Sequence, residues 1–267
     1  MTATLNETNA TPLKRVEVDL VTLDIIENAM SNARTEMDAV LMRTAMSPGI
    51  REQGDAFPMI ANHEGKMVVG QFGSFISGFV NSYHGEINDG DIFLTNDPYA
   101  CDGAVSHLPD WLILVPVFKD GRLINWAAMF GHMSDVGGKV PGSLPTDATS
   151  IFEEGIRIPP MKIYRGGVLN QDALDIILHN VRVPSWDQSD FNAIVAACRT
   201  AAKRCIELAE RFGDDIFSSA LGEMLERNYV AMREIIRNVV PEDKRSFEDY
   251  ICDDGAGLGP YTMRCTL

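Results

Sequence analysis

Basic residues are scarce in this sequence. Its 23 Lys and Arg face 38 Asp and Glu, a formal net charge of −15. A nucleic-acid groove needs a clustered excess of cations, so this balance argues against a nucleic-acid partner. Long apolar runs are also missing. None approaches the roughly 18 residues of a membrane span, so no membrane partner is expected. The cysteines are few and odd in number: Cys101, Cys198, Cys205, Cys252 and Cys265 are scattered without a CxxC. That excludes a zinc ribbon pattern and disfavours a disulfide framework, and reduced thiols in the cytosol fit better. Met1 to Pro12 lacks the basic and apolar regions of a signal peptide. Residues 1–17 read as a disordered tail, and a cytoplasmic location is expected. No GxxxxGK[ST] phosphate loop and no GxSxG elbow occur, and the glycines of 255–259 lack a strand-to-helix context. If ATP is used, this chain is not expected to bind it.

What is present suits one globular domain, or a domain with a helical extension. Apolar residues recur at helical spacing from Leu20 to about Thr44, on Leu23, Ile26, Met30, Ala33, Met37 and Leu41. Asp19 is placed to cap this helix, and Ser47-Pro48-Gly49 reads as its stop. Phe57 to Ala61 and Lys66 to Val69 read as strands around a turn at 62–65. Glycine-rich sequence then leads to a short helix near Gly78, and Asp91 to Thr95 is a further strand. Trp111 to Phe118 and Leu123 to Phe130 are apolar runs joined by Lys119-Asp120-Gly121-Arg122, and Asp-Gly is a strong hairpin signal. Pro141 to Gly167 reads as a long ordered loop, a kind that often carries function. Helices are expected from about Asn170 to Val181 and after Pro184, the latter ended by Gly213. Another carries Phe217, Leu221, Met224, Met232, Ile235 and Val239, and stops at Pro241. Tyr261 to Leu267 alternates like a strand, with no evident partner.

The expected fold is therefore α+β: a mixed or antiparallel β core bearing a hairpin, followed by a helical C-terminal half. Residues 18–168 form an N-terminal helix with a β-rich region and 169–241 a helical region. Residues 242–267 open a further β region that is continued elsewhere.

Two His-x-x-Asp segments flank the hairpin, His107-Leu108-Pro109-Asp110 before it and His132-Met133-Ser134-Asp135 after it. In a regular hairpin centred between Asp120 and Gly121, Asp110 faces Gly131 and His132 faces Pro109. Directly opposite side chains sit about 5 Å apart, so an imidazole and a carboxylate meet at the open end of the ribbon. His107 can fold back at the Pro109 bend. Two imidazoles and one carboxylate suit Mn²⁺, Fe²⁺ or Zn²⁺ and leave positions for water or substrate. The bland alternative is that both histidines are ordinary hydrogen-bonding residues at strand ends. Asp135 is either a turn carboxylate before Gly137-Gly138 or a proton-handling group. Asp97, in Asn96-Asp97-Pro98-Tyr99, reads as an Asx-turn residue, and His63, His84 and His179 as structural.

These segments, taken in order, resemble the hydantoinase B/oxoprolinase family. The likeness is carried by Asn96-Asp97-Pro98-Tyr99, His107-Leu108-Pro109-Asp110, Gly131 to Gly138, Pro141-Gly142-Ser143 and Glu154 to Pro160, with Val21 to Ile26 and Asn180 to Pro184 in support. It covers nearly the whole chain from about residue 18. It implies that His107, Asp110 and His132 match metal ligands, the metal being Mn, Zn or Fe. Asp55, here in Gly54-Asp55-Ala56-Phe57, falls where the family has an aspartate that completes the site. The resemblance further implies a hetero-oligomer in which a hydantoinase A-type partner subunit binds ATP and phosphorylates a small-molecule carbonyl substrate. This chain would then handle the activated species, hydrolysing a cyclic amide or carboxylating a ketone, with Asp135 orienting a ligand or moving a proton. The competing expectation is a non-catalytic assembly subunit that uses its helical half as an interface.

Overall fold

The computed structural model describes residues 13–70 and 76–267. Most of the tail expected over 1–17, and part of the glycine-rich stretch before Gly78, lie outside the described residues. Helix α1 spans Leu20–Thr44 and is capped as expected, Asp19 accepting the Thr22 N–H at 3.0 Å. Its stripe of Leu23, Ile26, Met30, Ala33, Met37 and Leu41 is wholly buried. The stop at Ser47-Pro48 is also a start. Ser47 caps a short helix α2 (Pro48–Gln53), with Pro at its first turn and Gly54 closing it in the left-handed conformation.

Strand β1 (Ala56–Asn62) turns into β2 (Met67–Val69); a short helix α3 (Ser77–Ser82) and strand β3 (Ile92–Thr95) follow. The hairpin consists of β4 (Asp110–Lys119) and β5 (Arg122–His132). The expected long loop ends early. A 3-10 turn at Ile151–Glu153 interrupts it, and β6 (Met161–Arg165) joins the sheet beside β3, because Ile163 between polar neighbours can turn inward. Strand β7 (Val168–Leu169) pairs with β6, and α4 (Gln171–His179) is shorter at both ends than expected. The long helices α5 (Pro184–Phe212) and α6 (Asp214–Val239) meet at Gly213. The C-terminal strand has a partner that the sequence reading did not supply: β8 (Ser246–Ile251) pairs antiparallel with β9 (Tyr261–Thr266).

The seven strands order β2-β1-β5-β4-β3-β6-β7, every pair antiparallel. Helices α1 and α5 pack on one face over Trp111, Ile113, Val115, Ala127 and Met129. The other face carries a smaller cluster around Phe79, Phe93, Leu112, Leu114, Trp126 and Ala128. There Phe79 meets Phe93 and Trp126 edge-on, at centroid distances of 5.1 and 5.9 Å. The turn end of the hairpin is tied to α6, where Asp214 pairs with both Arg122 and Lys119.

The hairpin register differs from the regular one. Lys119 faces Arg122 and Phe118 faces Leu123, but the next pair is Val117 with Asn125. A β-bulge at Ile124 takes up one residue, and from there every pair is displaced by one. Trp111 therefore faces Gly131, and Asp110 faces His132 directly. Because side chains alternate between faces, the regular register would have put Asp110 and His132 on opposite sides of the sheet. The bulge puts them on the same side.

Candidate metal centre

The site forms where the open end of the β4–β5 hairpin meets the end of β1. Asp110 begins β4 and His132 ends β5, both on the face away from α1 and α5. The His132 N–H donates to the Asp55 carbonyl at 3.0 Å, which ties β5 to the residue before β1. The Asp110 N–H donates to the His107 carbonyl at 3.3 Å, a tight turn that folds His107 back over the strand as the Pro109 bend suggests. The Met133 N–H donates to the Pro109 carbonyl at 2.8 Å and closes the open end.

These constraints bring the side chains together. Asp110 Oδ1 lies 3.0 Å from His107 Nε2 and 3.2 Å from His132 Nδ1. The two imidazole centroids are 5.0 Å apart. One ligand atom from each of His107, Asp110 and His132 can be chosen so that all lie within 4.8 Å of one another. Ligands about 2.0–2.2 Å from a single ion stand within such distances, and two imidazoles with a carboxylate form a donor set suited to a first-row divalent ion. Asp55 stands at the edge of this group, its Oδ2 3.9 Å from His132 Nδ1 and its side chain 43% exposed.

The electrostatics follow from the contacts. The hydrogen bond with Asp110 raises His107 above the ordinary imidazole range; burial opposes this, and the negative charges of Asp110, Glu154 and Asp55 add to it. Burial pushes the Asp110 carboxyl up, but hydrogen bonds from His107 and His132 outweigh it and hold the group below its usual value. Asp110 is thus an ionised carboxylate between two imidazoles, the protonation state a metal ligand needs.

Two supporting residues were not expected at the site. Glu154 accepts the Leu108 N–H at 3.0 Å and so stands beside His107. Asn96, fully buried, donates to the Leu108 carbonyl at 2.7 Å and to Ile156 at 2.9 Å, and accepts from the Ile158 N–H at 2.6 Å. It pins the His107 loop to the 154–158 segment. The motifs containing both residues could be quoted, but nothing in their spacing says that they meet. Asp97 behaves as an Asx-turn residue, accepting from the Tyr99 and Ala100 N–H groups.

Asp135 sits with the loop rather than with the imidazoles. Its carboxylate accepts from the N–H groups of Gly137, Gly142 and Arg182 and from the Arg182 guanidinium, at 2.9 to 3.3 Å. Burial raises its carboxyl, and these hydrogen bonds overcome that and lower it. A carboxylate so fully engaged orders the turn after His132 and is a poor proton carrier.

Comparison with known proteins agrees with this architecture. The family model described as hydantoinase B/oxoprolinase matches residues 19–267. The caprolactamase subunit beta of Pseudomonas jessenii is 34% identical over 255 residues, which are 92% of this chain and 43% of that protein. The acetophenone carboxylase delta subunit of Aromatoleum aromaticum is 32% identical over 193 residues, 68% of this chain and 28% of that one. The crystal structure of the ATP-dependent caprolactamase from Pseudomonas jessenii superimposes with a TM-score of 0.83 at 30% identity, covering 94% of this chain and 45% of that one. The chain spans less than half the length of these relatives.

Proposed function

The chain belongs to the hydantoinase B/oxoprolinase family, and from that premise we propose that it is the metal-bearing subunit of an ATP-dependent hetero-oligomer acting on a carbonyl substrate. The observation that carries this reading is the meeting of His107, Asp110 and His132 at one end of the hairpin. In it, the two imidazoles and the Asp110 carboxylate hold one divalent ion, Mn²⁺, Fe²⁺ or Zn²⁺, with Asp55 as a fourth ligand. A bound ion supplies Lewis-acid polarisation of a carbonyl or phosphoryl oxygen and lowers the pKa of water. Asp110 orients both imidazoles, and Asn96 and Glu154 fix the loop from which His107 reaches in. Asp135 keeps the segment after His132 in place. ATP is used on a hydantoinase A-type partner subunit, which phosphorylates the carbonyl oxygen before the substrate reaches this chain.

Two reactions fit the site. Ring opening of a hydantoin, lactam or oxoproline needs only water, whereas carboxylation of a ketone needs bicarbonate and exclusion of bulk water. In the assembled complex, ATP turnover that ignores bicarbonate rules out the carboxylase and leaves the cyclic-amide hydrolase. Turnover that requires bicarbonate reverses the choice. The proposal itself is checked by metal analysis of the purified complex. Near one equivalent of Mn, Fe or Zn is expected, lost together with activity in His132→Ala but retained in His63→Ala.

The assembly-subunit reading is favoured by one observation, the exposed apolar end of α6, with Tyr229, Met232, Ile235, Ile236 and Val239 all at least half exposed. Full activity in a complex stripped of metal would leave this chain only that role.

A further inference from the structure

Two aspartates on α5, one turn apart, are buried with three of their four carboxylate oxygens unpartnered. Asp187 and Asp190 are both fully inaccessible to solvent. Neither oxygen of Asp187 has a hydrogen-bond partner among the described residues, and Oδ2 of Asp190 has none either. The remaining oxygen, Asp190 Oδ1, accepts from the N–H groups of Met46 at 2.7 Å and Ser47 at 3.2 Å. An ionised carboxylate buried without donors is strongly disfavoured, and residues three apart on a helix are neighbours, so the nearby Asp190 adds to the cost of charging Asp187.

The charges around the pair sharpen the point. Asp135, across the helix N-terminus, is a further negative group acting on Asp187, and the Arg182 guanidinium is committed to Asp135. The N–H groups of Ser134 and Asp135 lie near Asp187 but outside hydrogen-bonding geometry, and they only temper the effect. Burial first, and then Asp190 and Asp135, push the Asp187 carboxyl up to about 8. One proton held on the pair would relieve the conflict, since the unpartnered carboxylate oxygens belong to residues one turn apart on α5.

The placement of the pair gives it a use. Ser47, held by Asp190, caps α2, and α2 delivers the chain through Gly54 to Asp55. Ser134 and Asp135, beside Asp187, come directly after His132-Met133. We propose that Asp187 and Asp190 share one proton and act as positioning residues for the candidate metal centre, joining the segment that carries Asp55 to the segment that carries His132. This inference rests on the metal-site reading above.

The test uses the full chain and Mn²⁺ alone, followed by calorimetric titration. Asp187→Asn keeps a neutral donor and is expected to bind Mn²⁺ within about twofold of the unaltered protein. Asp187→Ala removes the donor and is expected to bind about tenfold more weakly while its far-ultraviolet circular dichroism is unchanged. Equal affinity in Asp187→Ala overturns the positioning role, and an Asp187→Asn as weak as the alanine variant overturns the shared proton. Infrared spectroscopy at pH 7 gives a readout that needs only the asparagine variant. A protonated-carboxyl band is expected in the unaltered protein and not in Asp187→Asn, and its absence from the unaltered protein overturns the shared proton whether or not Asp187→Ala folds. If the unaltered protein binds neither Mn²⁺ nor Zn²⁺, the proposed function fails instead, which is a separate result from equal binding by all variants.

Discussion

Asp187 couples the stability of the molecule to pH, with a sign that can be worked out. Unfolded, its carboxyl ionises near 3.8; folded, near 8. Between these values the folded state keeps a proton that the unfolded state has released, so the Asp187 contribution to stability falls as pH rises from about 4 to about 8. Asparagine has no such dependence. The melting temperature of Asp187→Asn should therefore gain on that of the unaltered protein between pH 5 and pH 8, measured by scanning calorimetry at each pH. A constant offset across the range would mean that Asp187 is ionised in the fold. The same residue shows where sequence reading stops. His107, Asp110 and His132 could be found because imidazoles and carboxylates flanked a hairpin of clear pattern. Nothing in the sequence pattern singles out Asp187, since its burial depends on α5 lying across the sheet and under the 134–135 turn. Glu154 and Asn96 were hidden for the same reason: the contacts that join the His107 loop to the 154–158 segment span 46 to 62 residues of chain.

At the level of elements, α1, the β4–β5 hairpin and α5 were legible because each has a strong internal period and clear ends. β6 and β8 were missed because they are short and sit in sequence rich in turn-formers and charge; pairing with a distant or later strand makes them strands. The sheet also depends on a residue chosen for its lack of a side chain. Gly131, between Trp111 and Ala56 on neighbouring strands, lies under the helices, and a Cβ there would approach Ile194 Cδ1 to 2.8 Å and Ile50 Cδ1 to 3.0 Å. Gly131→Val should destabilise the protein by about 1–3 kcal/mol, the usual range for overpacking, as read from urea unfolding. It should also weaken metal binding, because His132 is the next residue. Unchanged unfolding would mean that α2 and α5 are not seated on β5 as described.

Across the whole molecule, burial is uneven. The sheet is covered on both faces, whereas the last turns of α6 and all twelve paired residues of β8 and β9 are exposed. The ribbon does touch the body, since Gly255 abuts the Thr146 carbonyl so closely that no side chain would fit. If the chain works in a hetero-oligomer, the exposed Ile235 and Ile236 are suited to a partner surface. Replacing both with Glu should abolish co-purification of the ATP-binding subunit and leave the metal content at its original value. Co-purification of the partner with the double variant would place the interface elsewhere. The ordered series of motifs from Asn96-Asp97-Pro98-Tyr99 to Glu154–Pro160 was enough to expect the family, but the covering of each face could not be read from it.

The bulge at Ile124 also bears on how far this hairpin can change in length. An odd number of residues separates Asp110 from His132, and a plain two-residue turn can set two positions opposite one another only when that number is even. The extra residue makes up the difference. Insertion or deletion is therefore not equally tolerated along β5. Loss of the residue at 124 would regularise the ladder and leave every later side chain on its present side, while a single loss further along would set the two ligands against the packing of Asn125 and Trp126. Anyone transplanting the ligand pair to another scaffold would need to carry the odd residue with it, or shorten the arm by one.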